Sequence, residues 1–271
     1  MLDSFISQEK PWAEDRAPEI SIVIPAYNEE KRLRRTLERI REYFNTTSAI
    51  HGSIEVIVVD DGSADGTACL TQEIAREMPQ LRLISNGRNR GKGYSVRHGM
   101  LKANGRIAVF TDADLSSPIE ECEKLLAALR SGSDVAIGSR AVDRRLIQVH
   151  QSMFREAAGI IFNALVGLFT GLTFQDTQCG FKAFALQRCR IIFQQQRIEG
   201  FGFDPEILFL AQRYGLRITE IPVRWAHDPA TRVHVVRDSI RMFGELMVIS
   251  LNWLTGRYSK AFENQQQNSY D

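Results

Sequence analysis

The 271-residue sequence has few cysteines and no pattern that would give them a shared role. Cys69, Cys122, Cys179 and Cys189 form no Cys-x-x-Cys pair, and no histidine lies at metal-ligand spacing from them. A zinc site and a disulfide framework are therefore not expected. We predict four reduced thiols, as in a cytosolic protein.

An excess of charge of one sign is also lacking. The chain has 34 Lys plus Arg against 33 Asp plus Glu, a formal net charge of +1. A nucleic-acid-binding protein needs a clear basic excess to neutralise phosphates, so we expect no nucleic-acid partner. Residues 1–19 are too charged for the apolar core of a signal peptide.

Long hydrophobic runs are missing as well. The longest uncharged stretch, residues 157–175, approaches the ~20 residues of a membrane span. It contains Asn163, Gln175 and several glycines, so its mean hydropathy is low for a helix surrounded by lipid. We expect this segment not to span a membrane.

Short apolar, β-branched runs alternate with amphipathic segments along most of the chain. Strands are predicted at 21–25, 54–59, 81–85, 106–111, 134–137 and 218–223. Helices are predicted after Asn28 and over 64–77, 95–104, 119–130 and 205–214, with a glycine-rich loop at 86–94. This alternation predicts an α/β, Rossmann-like fold with a mostly parallel sheet flanked by helices.

No internal repeat or linker divides this region. We therefore predict a polar lead-in over residues 1–18 and one large domain over 19–245. An apolar segment and a polar tail follow over 246–271.

Acidic residues follow two of the predicted strands, as Asp60-Asp61 and Asp112-Ala113-Asp114. Ligands bind beyond the carboxyl ends of strands in such sheets. Neighbouring carboxylates oppose one another's ionisation, a cost that a divalent cation removes. Oxygen ligands favour Mg²⁺ or Mn²⁺. The alternative is that one aspartate caps the next helix.

Five short motifs follow one another along the chain: Pro25-Ala26-Tyr27-Asn28-Glu29, Val58-Val59-Asp60-Asp61-Gly62-Ser63, Gly91-Lys92-Gly93, Asp112-Ala113-Asp114-Leu115 and Gly138-Ser139-Arg140. They occur in the order and spacing of the family-two inverting glycosyltransferases with the GT-A fold, which the chain resembles from residue 20 to residue 245.

Two further motifs follow, Asp176-Thr177-Gln178-Cys179-Gly180-Phe181-Lys182 and Phe203-Asp204-Pro205-Glu206. They are similar to those of dolichyl- or polyprenyl-phosphate hexosyltransferases. The first is usual in the dolichyl-phosphate β-glucosyltransferase type. The resemblance therefore implies transfer of a hexose from a nucleotide sugar to a lipid phosphate.

The same resemblance implies roles for individual residues. The nucleotide would be bound by Pro25, Ala26, Tyr27, Glu29, Asp60, Asp61 and Lys92. Asp112 and Asp114 would bind the metal and the diphosphate, and Arg140 and Arg155 the acceptor phosphate. Asp204 would line the sugar pocket near the reacting carbon. Asp114, Asp204 and Arg140 are thus the expected catalytic residues.

The chemistry of a phosphate acceptor leaves the role of Asp204 open. A phosphate monoester, with a second pKa near 6, is largely ionised at neutral pH and needs little help from a base. Asp204 is then a base, a positioning group or a structural helix cap. For Arg140 and Arg155 the alternative to phosphate binding is a solvated surface position.

The resemblance favours UDP-glucose as donor, with GDP-mannose and a polyprenyl-phosphate mannosyltransferase as the alternative. A lipid acceptor also gives the uncharged segment a role. Helices over 159–172 and 246–254 would lie in the membrane interface, on the cytoplasmic face. Otherwise they are buried core helices or a dimer contact.

Other classes of protein remain open at this point. A family-two enzyme could use an acceptor other than a lipid. A sugar-nucleotidyltransferase would need a glycine-rich N-terminal loop, where this chain has Pro25-Ala26-Tyr27-Asn28-Glu29. A non-catalytic protein that binds nucleotide sugars is the third alternative.

Overall fold

A computed structural model describes residues 17–46, 53–227 and 235–258. Within these residues the strands are Ile20–Ala26 (β1), Ile54–Asp60 (β2), Leu81–Ser85 (β3), Ile107–Thr111 (β4), Val135–Ser139 (β5), Ile147–Val149 (β6), Phe181–Ala185 (β7), Ile218–Pro222 (β8) and Trp225–Ala226 (β9). The α-helices are Glu30–Thr46 (α1), Thr67–Glu77 (α2), Lys92–Lys102 (α3), Cys122–Arg130 (α4), Met153–Thr170 (α5), Leu186–Gln195 (α6), Phe203–Arg213 (α7) and Val235–Leu254 (α8).

Seven strands form one sheet in the order β3-β2-β1-β4-β7-β5-β8. β7 runs antiparallel to its neighbours β4 and β5, and the other pairs are parallel. β6 and β9 pair separately. The prediction of an α/β fold with a mostly parallel sheet is therefore confirmed.

Helices cover both faces of the sheet, which explains why its central strands are continuous apolar runs. In β1, Val23 belongs to one buried cluster, and Ile22 and Ile24 belong to the other. Successive side chains of a strand point to opposite faces, so a strand buried on both sides must be apolar throughout. Leu33 and Leu37 of α1 pack on the second face.

Several predicted boundaries differ from the structure. α3 begins at Lys92, so the glycine-rich loop is shorter than predicted. β7 and α6 were not predicted at all. α8 continues through the boundary predicted between residues 245 and 246. Most of the predicted lead-in and the end of the polar tail lie outside the described residues.

The uncharged segment forms most of α5, which packs against α8. The rings of Phe169 and Phe243 meet edge to face with centroids 5.6 Å apart, and Ser250 Oγ donates to the Phe169 carbonyl at 2.9 Å. Among the described helices, α5 alone is long and apolar enough to cross a membrane, judged by length and composition. Only one side of it is buried, through Phe162, Val166 and Thr170.

Candidate active site

Polar residues gather at one edge of the sheet, where β1, β2 and β4 end. Asp60 is the last residue of β2, and Asp112 directly follows β4. Because β7 is reversed, its first residues also lie at this edge, with Phe181 opposite Thr111 of β4. Four strands thus contribute residues to one region.

Two residues other than glycine at this edge have left-handed backbone conformations. Asn28, after β1, has φ of 55°, and Leu115, after β4, has φ of 48°. Such conformations cost of order 1–3 kcal/mol and cluster at functional sites. Asn28 Oδ1 accepts a hydrogen bond from Ala64 N at 2.7 Å, which fixes this turn against the chain after β2.

Asp61 organises the glycine-rich loop. Its Oδ1 accepts hydrogen bonds from Asn86 Nδ2 at 2.7 Å and Arg90 N at 3.0 Å, and its Oδ2 accepts one from Gly91 N at 2.8 Å. Asp60 Oδ1 accepts from Ser63 N at 3.2 Å. Both carboxylates are buried. Asp61 therefore shapes the loop that leads to Lys92, whereas Asp60 fixes the turn directly after β2.

The residues predicted to bind the nucleotide after β1 differ in exposure. Pro25 is half-buried, Ala26 is buried, and the Tyr27 side chain is 40% exposed. Glu29 forms an ion pair with Arg32, and its backbone N–H donates to Thr67 Oγ1 at 2.7 Å. Tyr27 thus offers an accessible aromatic ring beside a fixed turn.

Lys92 lies among the acidic residues of the site. Its Nζ is 2.5 Å from Asp112 Oδ1. Burial lowers the pKa of Lys92, but attraction to Asp112, Asp204 and Asp114 outweighs burial, so that the pKa is raised. A Cβ atom on Gly180 would overlap the Asp112 carboxylate, which explains a glycine there.

Asp114 is close enough to Asp112 for the two carboxylates to interact. Burial, and then the charge of Asp112, raise the pKa of Asp114. Asp114 Oδ1 accepts from Ser116 N at 2.9 Å. The next helical turn, Ile119–Glu121, has Pro118 at its cap position and no side-chain cap bond, so the helix-cap alternative is wrong.

These two carboxylates fit a divalent cation. Their mutual repulsion is the cost that a cation removes, and Mg²⁺ and Mn²⁺ accept oxygen ligands, with the remaining positions filled by waters and substrate phosphates. Among the described residues, no group of three or more His, Cys, Asp or Glu side chains has the geometry of a complete metal site.

Asp204 and Lys182 form a buried ion pair beside this cluster. Lys182 Nζ is 2.5 Å from Asp204 Oδ1 and donates to the Cys179 carbonyl at 2.7 Å. Burial raises the pKa of Asp204, while Lys182 and Lys92 act in the opposite direction. Asp204 lies in the first turn of α7, whose cap is Gly202, so the helix-cap alternative is wrong here too.

Arg140, at the end of β5, is bound by Asp176. Its Nε and Nη2 donate to the two Asp176 oxygens at 2.7 and 2.8 Å, and its backbone N–H donates to Oδ2 at 2.9 Å. Burial lowers the pKa of Arg140, and attraction to Asp176 reverses that effect and raises it. The side chain is 27% exposed, so it is neither a surface arginine nor fully enclosed. Arg155 is half-buried in the first turn of α5.

The structure thus brings Lys92, Asp112, Asp114 and Asp204 together and adds Lys182 and Asp176, for which no role was predicted. Both belong to the motif over 176–182. The signal was a lysine inside an apolar run, which is uncommon unless the lysine has a buried partner.

The glycosyl transferase family 2 model matches residues 21–184, which is more than half of the chain. The chain is 36% identical over 258 residues to the dolichyl-phosphate beta-glucosyltransferase of Saccharomyces cerevisiae, covering 88% of this chain and 76% of that protein. It is 31% identical over 250 residues to the human protein of the same name, covering 89% and 77%.

Solved structures with the same fold include glucosyl-3-phosphoglycerate synthase from Mycobacterium tuberculosis in complex with UDP, with a TM-score of 0.60 at 21% identity. The match covers 89% of this chain and 80% of that one. The complex of that synthase with Mn²⁺, UDP-glucose and phosphoglyceric acid gives a TM-score of 0.59 at 20% identity, with the same coverage.

Proposed function

The chain belongs to glycosyl transferase family 2, and we propose that it transfers glucose from UDP-glucose to dolichyl phosphate or a related polyprenyl phosphate. The relatives named above support this donor sugar and this acceptor. The observation in the molecule that carries the proposal is the cluster formed by Lys92, Asp112, Asp114 and Asp204. It combines groups suited to a metal-bound diphosphate with a carboxylate suited to a sugar.

Asp112 and Asp114 would bind Mg²⁺ or Mn²⁺. The cation would stabilise the negative charge that develops on the nucleoside diphosphate as it leaves the sugar. Lys92 would bind the same diphosphate, because its ammonium is already beside Asp112. Pro25, Ala26, Tyr27, Glu29, Asp60 and Asp61 would form the nucleoside pocket, directly or through the loop that Asp61 fixes.

Asp204 would orient the hexose rather than remove a proton. Its Oδ1 is bound by Lys182, and a phosphate acceptor is already ionised near neutral pH. Arg140 would bind the acceptor phosphate, and Arg155 in the first turn of α5 would bind it as well. Asp176 occupies Nε and Nη2 of Arg140 and thereby fixes the guanidinium plane, which leaves Nη1 for the phosphate.

A transfer assay tests the proposal. Purified protein is incubated with a short-chain polyprenyl phosphate, Mg²⁺ or Mn²⁺, and either UDP-glucose or GDP-mannose, and the glycolipid is detected by mass. We expect a glucosyl lipid from UDP-glucose and loss of product when EDTA is added. Product from GDP-mannose alone would replace glucose by mannose in the proposal, and no glycolipid from either donor would contradict it.

We also propose that α5 and α8 contact the membrane that contains the acceptor, on its cytoplasmic face. Both helices expose large apolar side chains: Met153, Phe154, Ile160, Ile161 and Leu168 on α5, and Met247, Val248, Leu251 and Leu254 on α8. Leu168 is 76% exposed and Leu254 is 82% exposed. Two packed helices that both expose apolar residues are suited to the interface of a bilayer.

Replacing Leu168 and Leu254 together by glutamate should weaken binding to vesicles. Burying a leucine contributes about 1.5–3 kcal/mol, so we expect at least a tenfold lower partition coefficient in vesicle sedimentation. Gln72→Glu combined with Gln80→Glu adds the same two negative charges at exposed positions and should have no effect. Unchanged sedimentation of the double variant would contradict the contact between these helices and the membrane.

A further inference from the structure

Glu245, on α8, binds the start of the helix that contains Asp204. Its Oε2 accepts a hydrogen bond from the backbone N–H of Gly202 at 2.7 Å. Gly202 is the cap residue of α7 and has no side chain that could act as a cap. The first N–H groups of a helix lack partners within the helix, and a carboxylate there is also favoured by the helix dipole. The Glu245 carboxylate, although it lies on α8, provides both the hydrogen-bond acceptor and the negative charge at the start of α7.

Two glycines make room for this carboxylate. A Cβ atom on Gly200 would overlap Glu245 Oε1 and come within 2.9 Å of Cδ. A Cβ atom on Gly202 would be 2.7 Å from both Cβ and Oε2 of Glu245. Real Cβ atoms do not approach so closely, so any larger residue at position 200 would displace the carboxylate. The Glu245 side chain is 15% exposed in this recess.

A second contact fixes the same turn of α7 to the end of α8. Tyr258, four residues beyond α8, donates from its hydroxyl to Glu206 Oε1 at 2.6 Å. Glu206 also accepts from the backbone N–H groups of Arg197 and Ile198, both at 2.9 Å. Asp204 lies between Gly202 and Glu206 in the chain. Its position therefore depends on contacts that α8 and the residues after it provide.

We propose that Glu245 is a positioning residue, which acts through the first turn of α7 to place Asp204 in the sugar pocket. It touches neither substrate, and the inference rests on the proposed function. It also gives α8 a second role. One side of α8 exposes Leu251 and Leu254. Another side of the same helix provides Glu245, whose contact with Gly202 orients the sugar-binding carboxylate.

Glu245→Ala removes the contact at Gly202. We expect kcat for glucosyl transfer to fall about 10- to 100-fold, because a misplacement near 1 Å can cost that much, while the affinity for UDP stays unchanged. Glu245→Gln keeps an oxygen acceptor for Gly202 N and should lose less. Transfer is measured with short-chain polyprenyl phosphate in detergent, UDP binding by calorimetry, and folding by thermal unfolding. Glu73→Ala, an exposed glutamate that pairs with Arg34, is the matched control.

A double-mutant cycle separates positioning from a general loss of stability. Gly200→Ala should displace the carboxylate and lower kcat like Glu245→Ala, and the double variant should be no worse than Glu245→Ala alone. The inference would be overturned if the double variant lost kcat by the product of the two single factors. A Glu245→Ala enzyme with normal kcat per folded molecule would also overturn it. A wild-type protein that forms no glycolipid would instead contradict the proposed function.

Discussion

Asp114→Ala is expected to abolish metal-dependent transfer. The change removes one of two neighbouring carboxylates whose repulsion a cation relieves, and we expect kcat/KM to fall about 1000-fold, the upper range for losing one electrostatic contact to a developing charge. UDP should bind the variant with the same affinity in Mn²⁺ and in EDTA, whereas Mn²⁺ should strengthen binding to the wild type. Titration calorimetry and the transfer assay measure the two effects.

The control for this variant is Glu73→Ala, because Glu73 is an exposed carboxylate on α2 that pairs only with Arg34 of α1 among the contacts described above. It should leave both measurements unchanged. If Asp114→Ala kept its turnover and its response to Mn²⁺, the metal would have to be bound elsewhere, and the roles of Asp112 and Asp114 would need to be reassigned.

Lys182→Met is expected to reduce both stability and activity. Lys182 is fully buried, and removing one partner of a buried ion pair typically costs about 3–5 kcal/mol because the other charge is left uncompensated. We also expect kcat at pH 7 to fall about 100-fold, since Asp204 loses the group that orients it. Lys102→Met, an exposed lysine at the end of α3, should change neither quantity.

The effect of Lys182→Met should also depend on pH in a defined direction. Burial already raises the pKa of Asp204, and Lys182 opposes that rise, so the variant should have a still higher Asp204 pKa. The acidic limb of the kcat profile should therefore move to higher pH. The loss of stability should shrink as the pH is lowered, because a protonated Asp204 needs no cation.

Lys182→Met combined with Asp204→Asn separates the two effects. The double variant contains no unpaired buried charge, so most of the stability should return while activity stays low. Normal kcat in the single variant, with its acidic limb unmoved, would contradict a role for Lys182 in catalysis.

The strands that end at the site could be predicted because each is a continuous apolar run followed by acidic or polar residues. β1, β2 and β4 have this pattern, and their boundaries were predicted within one or two residues. β7 does not have this pattern. Its sequence Phe-Lys-Ala-Phe-Ala is interrupted by a lysine, and it begins inside the motif over 176–182. Nothing local in a sequence gives the direction of a strand inserted between two others.

The sequence indicates which charged residues are candidates for the site, but not which residues they contact. Asp112, Asp114 and Lys92 occur in motifs that the sequence presents directly. The pairing of Lys182 with Asp204 joins β7 to α7, and that of Glu245 with Gly202 joins α8 to α7 over 43 positions. Such contacts depend on how helices pack on the sheet, which no short spacing encodes.

The reversed strand β7 determines how accurately the Asp204 carboxylate can be held. Lys182 lies in register between Phe110 of β4 and Ile137 of β5, so hydrogen-bonded ladders on both sides fix its place along the strand. A slip of one residue would turn every β7 side chain to the opposite face and exchange the ammonium group for a phenyl or methyl group. An edge strand could tolerate such slippage, whereas the register of an interior strand is fixed by hydrogen bonds to both of its neighbours. The backbone pairing of β7 therefore limits where the Lys182 ammonium, and with it the Asp204 carboxylate, can lie.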